Sequence, residues 1–184
     1  DYHLHCGDLR CIDTVFPLAG KHGKKTVLTA GDCDPRSPKH ETFEVDLAGH
    51  DLGQETLELS TPKGTIVSAA FTVTRNDAIL ESEPNDSRAK CNVIHAPIAV
   101  SGRIDPAHDS DYYRLEIKKA ATLRISARSS AFGSPLDPLV VLQDKAGKTI
   151  KIDDDSGDGN DARIDFNFKP GTYHVIVRSL VRHG

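Results

Sequence analysis

The chemistry this sequence could perform is concentrated in its carboxylates. The sharpest run is Glu81-Ser82-Glu83-Pro84-Asn85-Asp86. In an extended segment alternate residues share a face, so Glu81, Glu83 and Asn85 point the same way, with Pro84 stiffening the backbone between them. Three convergent oxygen donors suit a hard cation such as Ca²⁺, which takes about six to eight oxygens. They do not complete the shell. A second acidic run, Asp109-Ser110-Asp111 ahead of Tyr112-Tyr113, could supply the rest, and Asp86 adjoins the first run. Without a metal, this many carboxylates would repel one another. The plain alternative is a solvated acidic linker.

A third run, Asp153-Asp154-Asp155-Ser156-Gly157-Asp158-Gly159-Asn160-Asp161, loosely resembles a helix–loop–helix calcium loop but lacks the closing Glu and the flanking helices. It reads as a hairpin loop between two strands. Asp137, in Ser134-Pro135-Leu136-Asp137-Pro138, could reach the same end of the fold. A second ion would therefore draw on Asp137, Asp153, Asp154, Asp155 and Asp158; an ordinary polar turn is the alternative.

Other chemistries are excluded or unsupported. Gly147-Lys148-Thr149 has Leu142 where a phosphate-binding loop needs Gly, and a strand follows it. Gly20-Lys21-His22-Gly23-Lys24-Lys25-Thr26 has the wrong spacing for the same loop. Neither a G-x-S-x-G elbow nor an H-E-x-x-H motif occurs. His3 and His5 share a strand face but read as surface histidines. No nucleophile–base pair can be identified, so the expectation is a chain without catalysis. Cys6, Cys11, Cys33 and Cys91 form no C-x-x-C pair, which argues against a zinc ribbon or a dithiol redox motif. Their even number suits disulfides in an oxidising compartment. Three pairings are open, and buried free thiols are the alternative.

The elements that must position these groups are strands. Charged residues are 27% and apolar ones 38% of the 184 residues, the balance of a folded, soluble chain. Period-2 alternation recurs at residues 42–47, 56–59, 70–73, 113–117, 122–126 and 173–177. Leu139-Val140-Val141-Leu142 is a continuous apolar run, as in a central strand buried on both faces. Turn residues fall at Lys63-Gly64, Lys145–Lys148 and Lys169-Pro170-Gly171. The expected fold is all-β, with two β-sandwich modules. The composition shifts near residues 76–87. Asn76-Asp77 closes one set of strands, and a polar joint precedes the next, followed by one helical turn capped by Asp86 or Ser87. Residues 1–80 hold 8 basic and 12 acidic side chains and residues 81–184 hold 15 of each; neither half has the basic excess of a nucleic-acid binder. No apolar run approaches the ~20 residues needed to span a membrane.

Residues 80–184 resemble the bacterial pre-peptidase C-terminal domain, also found as the collagen-binding domain of clostridial collagenases. The carrying pieces, in order, are Glu81–Ser87, Val100-Ser101-Gly102-Arg103-Ile104, Asp109-Ser110-Asp111-Tyr112-Tyr113, Ser134–Pro138, Leu142–Lys148, Asp153-Asp154-Asp155 and Gly171-Thr172-Tyr173-His174-Val175. The resemblance implies a jelly-roll-like sandwich over residues 79–184. It also implies calcium held by Glu81, Glu83, Asn85 and Asp111, with Asp86 or Asp109 as further ligands. His108 departs from the family, which often has Asp there. The aromatic residues by which some members bind collagen cannot be placed. Residues 11–78 resemble, more weakly, immunoglobulin-like modules that stand beside such domains in large planctomycete-type surface proteins, on Val15–Gly23 and Asp46–Leu52. The family's sandwich usually closes with one more strand, before which this chain stops. Residues 1–10 look like such a closing strand from an upstream copy, so residues 2–6 are expected to pair with an exposed sandwich edge, in this chain or a neighbour.

These resemblances imply a secreted, periplasmic or cell-surface protein, an accessory or adhesion segment with a calcium-stabilised joint between modules. Its ligand would be a protein or a polysaccharide. The alternative is the C-terminal accessory part of a secreted peptidase or redox enzyme.

Overall fold

In the computed structural model, residues 12–32, 40–60, 66–106 and 108–180 are described. They form fifteen strands and two single-turn 3-10 helices, so the chain is all-β. It divides into two compact units, the first ending at Arg75 and the second beginning at Asn76.

The first unit contains β1 (Ile12–Phe16), β2 (Ala19–Lys21), β3 (Lys25–Asp32), β4 (His40–Asp46), β5 (Gly53–Ser60) and β6 (Ile66–Thr74). They form two three-stranded sheets, ordered β1-β3-β4 and β2-β6-β5. Period-2 patterning explains the core. In β4, Phe43 and Val45 face inward between exposed Thr42, Glu44 and Asp46. They pack against buried Leu28, Leu47, Leu57, Phe71 and Val73. Leu47 was expected at the end of a strand; it opens a 3-10 turn instead, because the Asp46 carboxylate accepts the Ala48 N–H at 3.0 Å. Gly20 admits this packing, since a Cβ there would sit 2.5 Å from Leu47 Cδ1.

The second unit begins with β7 (Asp77–Leu80), β8 (Asn92–Ile94) and β9 (Ile98–Ser101), followed by β10 (Ser110–Ile117) and β11 (Ala121–Ala127). β12 (Pro138–Asp144), β13 (Thr149–Asp153), β14 (Ala162–Phe168) and β15 (Gly171–Ser179) complete it. The main sheet runs β13-β12-β15-β10-β8; β11 pairs with β14, and β7 with β9. Burial in β10 alternates strictly at its start: Asp111, Tyr113 and Leu115 are buried, while Tyr112 and Arg114 are half-exposed on the other face. The core joins Tyr113, Leu115, Val140, Leu142 and Val175 to Ile164 and Phe168 of β14. The apolar run in β12 is a non-edge strand, paired on both sides.

Three local expectations are corrected. The chain divides between Arg75 and Asn76, and Asp77 opens β7 rather than closing the earlier strands. The helical turn after the joint is a hydrogen-bonded turn, with Lys90 N donating to Ser87 O at 3.0 Å. The Asp153–Asp161 loop is not a hairpin: β13 pairs with β12 while β14 pairs with β11, so the loop crosses between sheets. Side chains of β13 nevertheless reach β14. Lys151 Nζ donates to Asp165 O at 3.3 Å, and Arg163 N donates to Asp153 Oδ1 at 2.7 Å. The expected turn at Lys63-Gly64 and the strand at residues 2–6 lie outside the described residues.

Candidate metal centre

Strand pairing delivers the first acidic run. β7 and β9 run parallel, and Glu81 N donates to Ser101 O at 3.0 Å, extending that ladder by one residue. The chain then leaves the sheet but stays pinned. Ser82 N donates to Asn92 Oδ1 at 2.7 Å, and Asn92 Nδ2 returns a bond to Ser82 O at 2.8 Å. Asn85 N donates to Glu83 Oε2 at 2.8 Å, and Tyr112 N donates to Asn85 O at 2.9 Å. This last bond ties the run to β10, where period-2 alternation has placed Asp111 on the core-facing side, 2% exposed.

One carboxylate oxygen each from Glu81, Glu83 and Asp111 lies within 4.8 Å of the others. Asn85 is fully buried beside them. Oriented to suit its neighbours, its amide Nδ2 donates to Asp111 Oδ1 at 3.2 Å and to Glu83 Oε1 at 3.1 Å; in the opposite orientation Nδ2 donates to Glu81 Oε2 at 3.3 Å. The same Glu81 oxygen accepts from Tyr113 Oη at 3.1 Å, and the other oxygen accepts the Arg103 N–H. Gly102 leaves the space for this contact, since a Cβ there would sit 2.5 Å from Glu81 Oε2 and 3.0 Å from Tyr113 Oη.

Burial pushes the Asp111 carboxyl up to about 8, and the negative charges of Glu81, Asp109 and Glu83 push in the same direction. Burial likewise raises the Tyr113 hydroxyl, with the charges of Asp111 and Glu81 adding to it. The donor set is all oxygen, with no thiolate or imidazole among the converging atoms, which is the chemistry of a hard cation. With its amide oriented to suit its neighbours, Asn85 donates to two of these carboxylates, so amide protons stand between them in the cation-free cluster.

The remaining expected ligands are placed differently. Asp86 turns away and pairs with Lys90 at 3.4 Å. Asp109 is half-buried; its carboxylate accepts from Ser110 N at 2.7 Å and Asp105 N at 3.3 Å, while its charge acts on Asp111. His108 is exposed at φ 77°, in the left-handed region.

Among the described residues the second acidic loop forms no converging group. Asp153 Oδ1 accepts from Ser156 N at 3.1 Å and from Arg163 N at 2.7 Å. Burial raises that carboxyl, but these hydrogen bonds outweigh it and hold the group below its ordinary value. Asp154 is half-buried, and Asp155 and Asp158 are exposed. Asp158 contributes its carbonyl, which accepts from Ser130 Oγ at 3.1 Å. Asp137 does come to this end, through Leu136 O, which accepts from Ser129 Oγ at 2.7 Å; its buried Oδ1 has no hydrogen-bond partner.

The organising residue of this end is Asp161, which the sequence analysis did not single out. It is 1% exposed, and its Oδ1 accepts from Ser129 N at 2.9 Å, Ser130 N at 3.0 Å and Ser130 Oγ at 2.9 Å. Asn92, Tyr113 and Gly102 were also unassigned. Only Tyr113 carried a signal, following Asp111 at the spacing that shares its strand face. Among the described residues Cys91 is a half-buried free thiol, the alternative that the sequence left open beside a disulfide. Cys6, Cys11 and Cys33 lie outside the described residues.

A search of curated proteins finds no match. Among solved structures, the chain is similar to the pre-peptidase C-terminal domain of collagenase from Bacillus anthracis. The two are 20% identical with a TM-score of 0.44, over 56% of this chain and 91% of that one. Residues 109–179, all within the second unit, match the family model of the bacterial pre-peptidase C-terminal domain.

Proposed function

We propose that this chain is a non-catalytic accessory segment of an extracellular bacterial protein, whose second unit is stabilised by one calcium ion. The observation that supports this reading best is the convergence of Glu81, Glu83 and Asp111 around the buried amide of Asn85. Calcium, when bound, would supply the positive charge these groups lack. The four side chains would hold it, with water or Asp109 completing the shell. Glu81, Glu83, Asn85 and Asp111 all belong to the second unit. In this reading the ion would stiffen the segment that leaves β7 and docks on β10. Its benefit is thermodynamic: an ion that binds only the folded state at a hundredfold excess over Kd adds ~2.7 kcal/mol, a large share of the stability of a small domain.

The test is calorimetric titration of the chelator-stripped protein with calcium. One site per chain, abolished in a Glu81→Ala/Glu83→Ala double variant that keeps its β-sheet circular dichroism, supports the reading. No heat and no change in unfolding midpoint would remove it.

The role proposed for the segment is adhesion to a protein or polysaccharide, in a secreted, periplasmic or cell-surface setting. The first unit would act as an immunoglobulin-like spacer of the planctomycete surface-protein kind. Strand exchange with a neighbouring copy, through residues 2–6, belongs to the same proposal; cross-linking at an introduced cysteine pair would detect it. A second reading is favoured by the family match, whose name ties it to peptidases. In it, the segment is the C-terminal accessory part of a secreted peptidase or redox enzyme. A protease or haem-attachment motif elsewhere in the full-length protein would decide for it.

A further inference from the structure

The seam between β13 and β14 is closed at one end and open at the other. β13 pairs only with β12 and β14 only with β11, so each turns an edge to the seam with no strand between them. Along β14 that edge is capped by side chains. Asp153 Oδ1 accepts from Arg163 N at 2.7 Å, and Lys151 Nζ donates to Asp165 O at 3.3 Å. Just past the strand, Tyr173 Oη serves Lys169 twice, accepting from its N at 3.3 Å and donating to its O at 3.1 Å. Main-chain groups of alternate residues point to the same side of a strand. Asn167, between Asp165 and Lys169, therefore presents its N–H and C=O to the same edge. Among the described residues no side chain caps the Asn167 main chain.

A cleft of about 440 Å³ opens at this point, lined by Thr149 and Ile150 of β13, Phe166 and Asn167 of β14 and Tyr173 of β15. Its aromatic wall is fixed. The Phe166 and Tyr173 rings meet edge to face at 6.3 Å, and the two bonds to Lys169 hold the Tyr173 hydroxyl. Ile150 is 37% exposed. The other lining residues set the charge. Lys148 and Lys169 are exposed and, among the described residues, neither ammonium group has an ion-pair partner. The one lining carboxylate, Asp144, already accepts from Lys148 N at 2.9 Å. An uncapped strand edge, apolar side chains and two free ammonium groups together match an extended acidic peptide. Its main chain pairs with the edge, alternate apolar side chains enter the cleft, and its carboxylates meet the lysines.

We propose that this cleft binds an extended acidic peptide segment of a partner protein by strand addition at Asn167. The proposal rests on the reading of the chain as an accessory binding segment, and it narrows the ligand from protein or polysaccharide to protein. The cleft shares no residue with the acidic cluster and does not depend on its occupancy.

The full chain would be titrated with a blocked hexapeptide alternating Glu and Val, in calcium and in chelator, following the Thr149, Ile150 and Asn167 amides by NMR. The expected result is a saturable shift of these amides under both conditions. A peptide alternating Lys and Val should bind at least about tenfold more weakly. The Glu–Val peptide N-methylated along one edge keeps its charges but cannot donate to the strand, and should also lose at least about tenfold. Lys148→Glu/Lys169→Glu changes two exposed side chains, so this variant should fold, and it should weaken binding by at least about tenfold. No saturable shift, equal affinity for the N-methylated peptide, or an unchanged affinity in the double variant overturns the proposal. Oligogalacturonate is run in parallel. Saturable shifts of the same amides with it alone assign the cleft to an acidic polysaccharide, which overturns the peptide and leaves the accessory reading standing. Shifts that grow with protein concentration in the absence of peptide assign the cleft to a second copy of the chain and likewise overturn it.

Discussion

The Asn85 amide, oriented to suit its neighbours, donates to Asp111 Oδ1 at 3.2 Å, although one residue lies on the segment leaving β7 and the other near the start of β10. The pair makes Asn85 the most sensitive position of the cluster. Replacing Asn85 with Asp would put a fourth carboxylate at a fully buried position. In chelator the variant should lose about 1–3 kcal/mol, lowering the unfolding midpoint by roughly 2–8 °C per kcal/mol. Calcium should restore most of that loss, so the gap between the two melting curves should be wider than in the parent. Equal gaps would mean that Asn85 does not face the ion.

The pH dependence follows from Asp111. Its carboxyl is raised to about 8 in the folded chain, first by burial and then by Glu81, Asp109 and Glu83, against ~3.9 unfolded. The protonated form is therefore the one the cation-free fold favours. Its contribution is complete below ~3.9 and is lost as pH rises through about 8. In chelator, stability should fall across that window, and Asp111→Asn should flatten the slope. Saturating calcium, which binds the ionised form, should reverse it. Melting curves at a series of pH values, with and without calcium, measure all three.

Asp161 carries the opposite sign. Burial raises it, but the N–H groups of Ser129 and Ser130 hold it below its ordinary value. Its contribution is present above ~3.9 and lost as pH falls through its lower folded value. Asp161→Ala would leave the Ser129 and Ser130 donors without their acceptor and should cost about 2–4 kcal/mol, read from urea unfolding. Asp161→Asn keeps an acceptor oxygen and should cost less. Calcium stoichiometry should not change in either.

Asp153 separates a hydrogen-bonding role from a metal role. Asp153→Ala should leave calcium affinity unchanged while the Arg163 amide exchanges faster with solvent. A loss of one bound ion would instead assign Asp153 to a second metal site.

How much of this was legible in the sequence depended on the range of the interactions. Strand positions followed from alternation, because period-2 burial is a local property: Tyr113, Leu115 and Ile117 announced a buried face, and Asp111 lies on it by the same count. The nearness of Glu81 to Glu83 could likewise be read from spacing. What failed was pairing. The Asp153–Asp161 loop looked like a hairpin because two strands flank it, yet their partners, β12 and β11, are chosen by the sheet order. Asp161 was invisible for the same reason, since its donors stand 31 and 32 residues away. Asp86 was named through the family resemblance and not by alternation, and it pairs with Lys90 where the chain bends into a turn after Asn85.

The contacts from Lys151 and Asp153 to the main chain of β14 change what kind of object the second unit is on that side. By strand order it is a sandwich with a separate two-stranded sheet. By hydrogen bonding, the seam between β13 and β14 is stitched: a side chain accepts from Arg163 N and another donates to Asp165 O, where a neighbouring strand would do so in a closed barrel. Barrels abolish edges, and here two side chains do so over the length of a few residues without the curvature and shear that full closure demands.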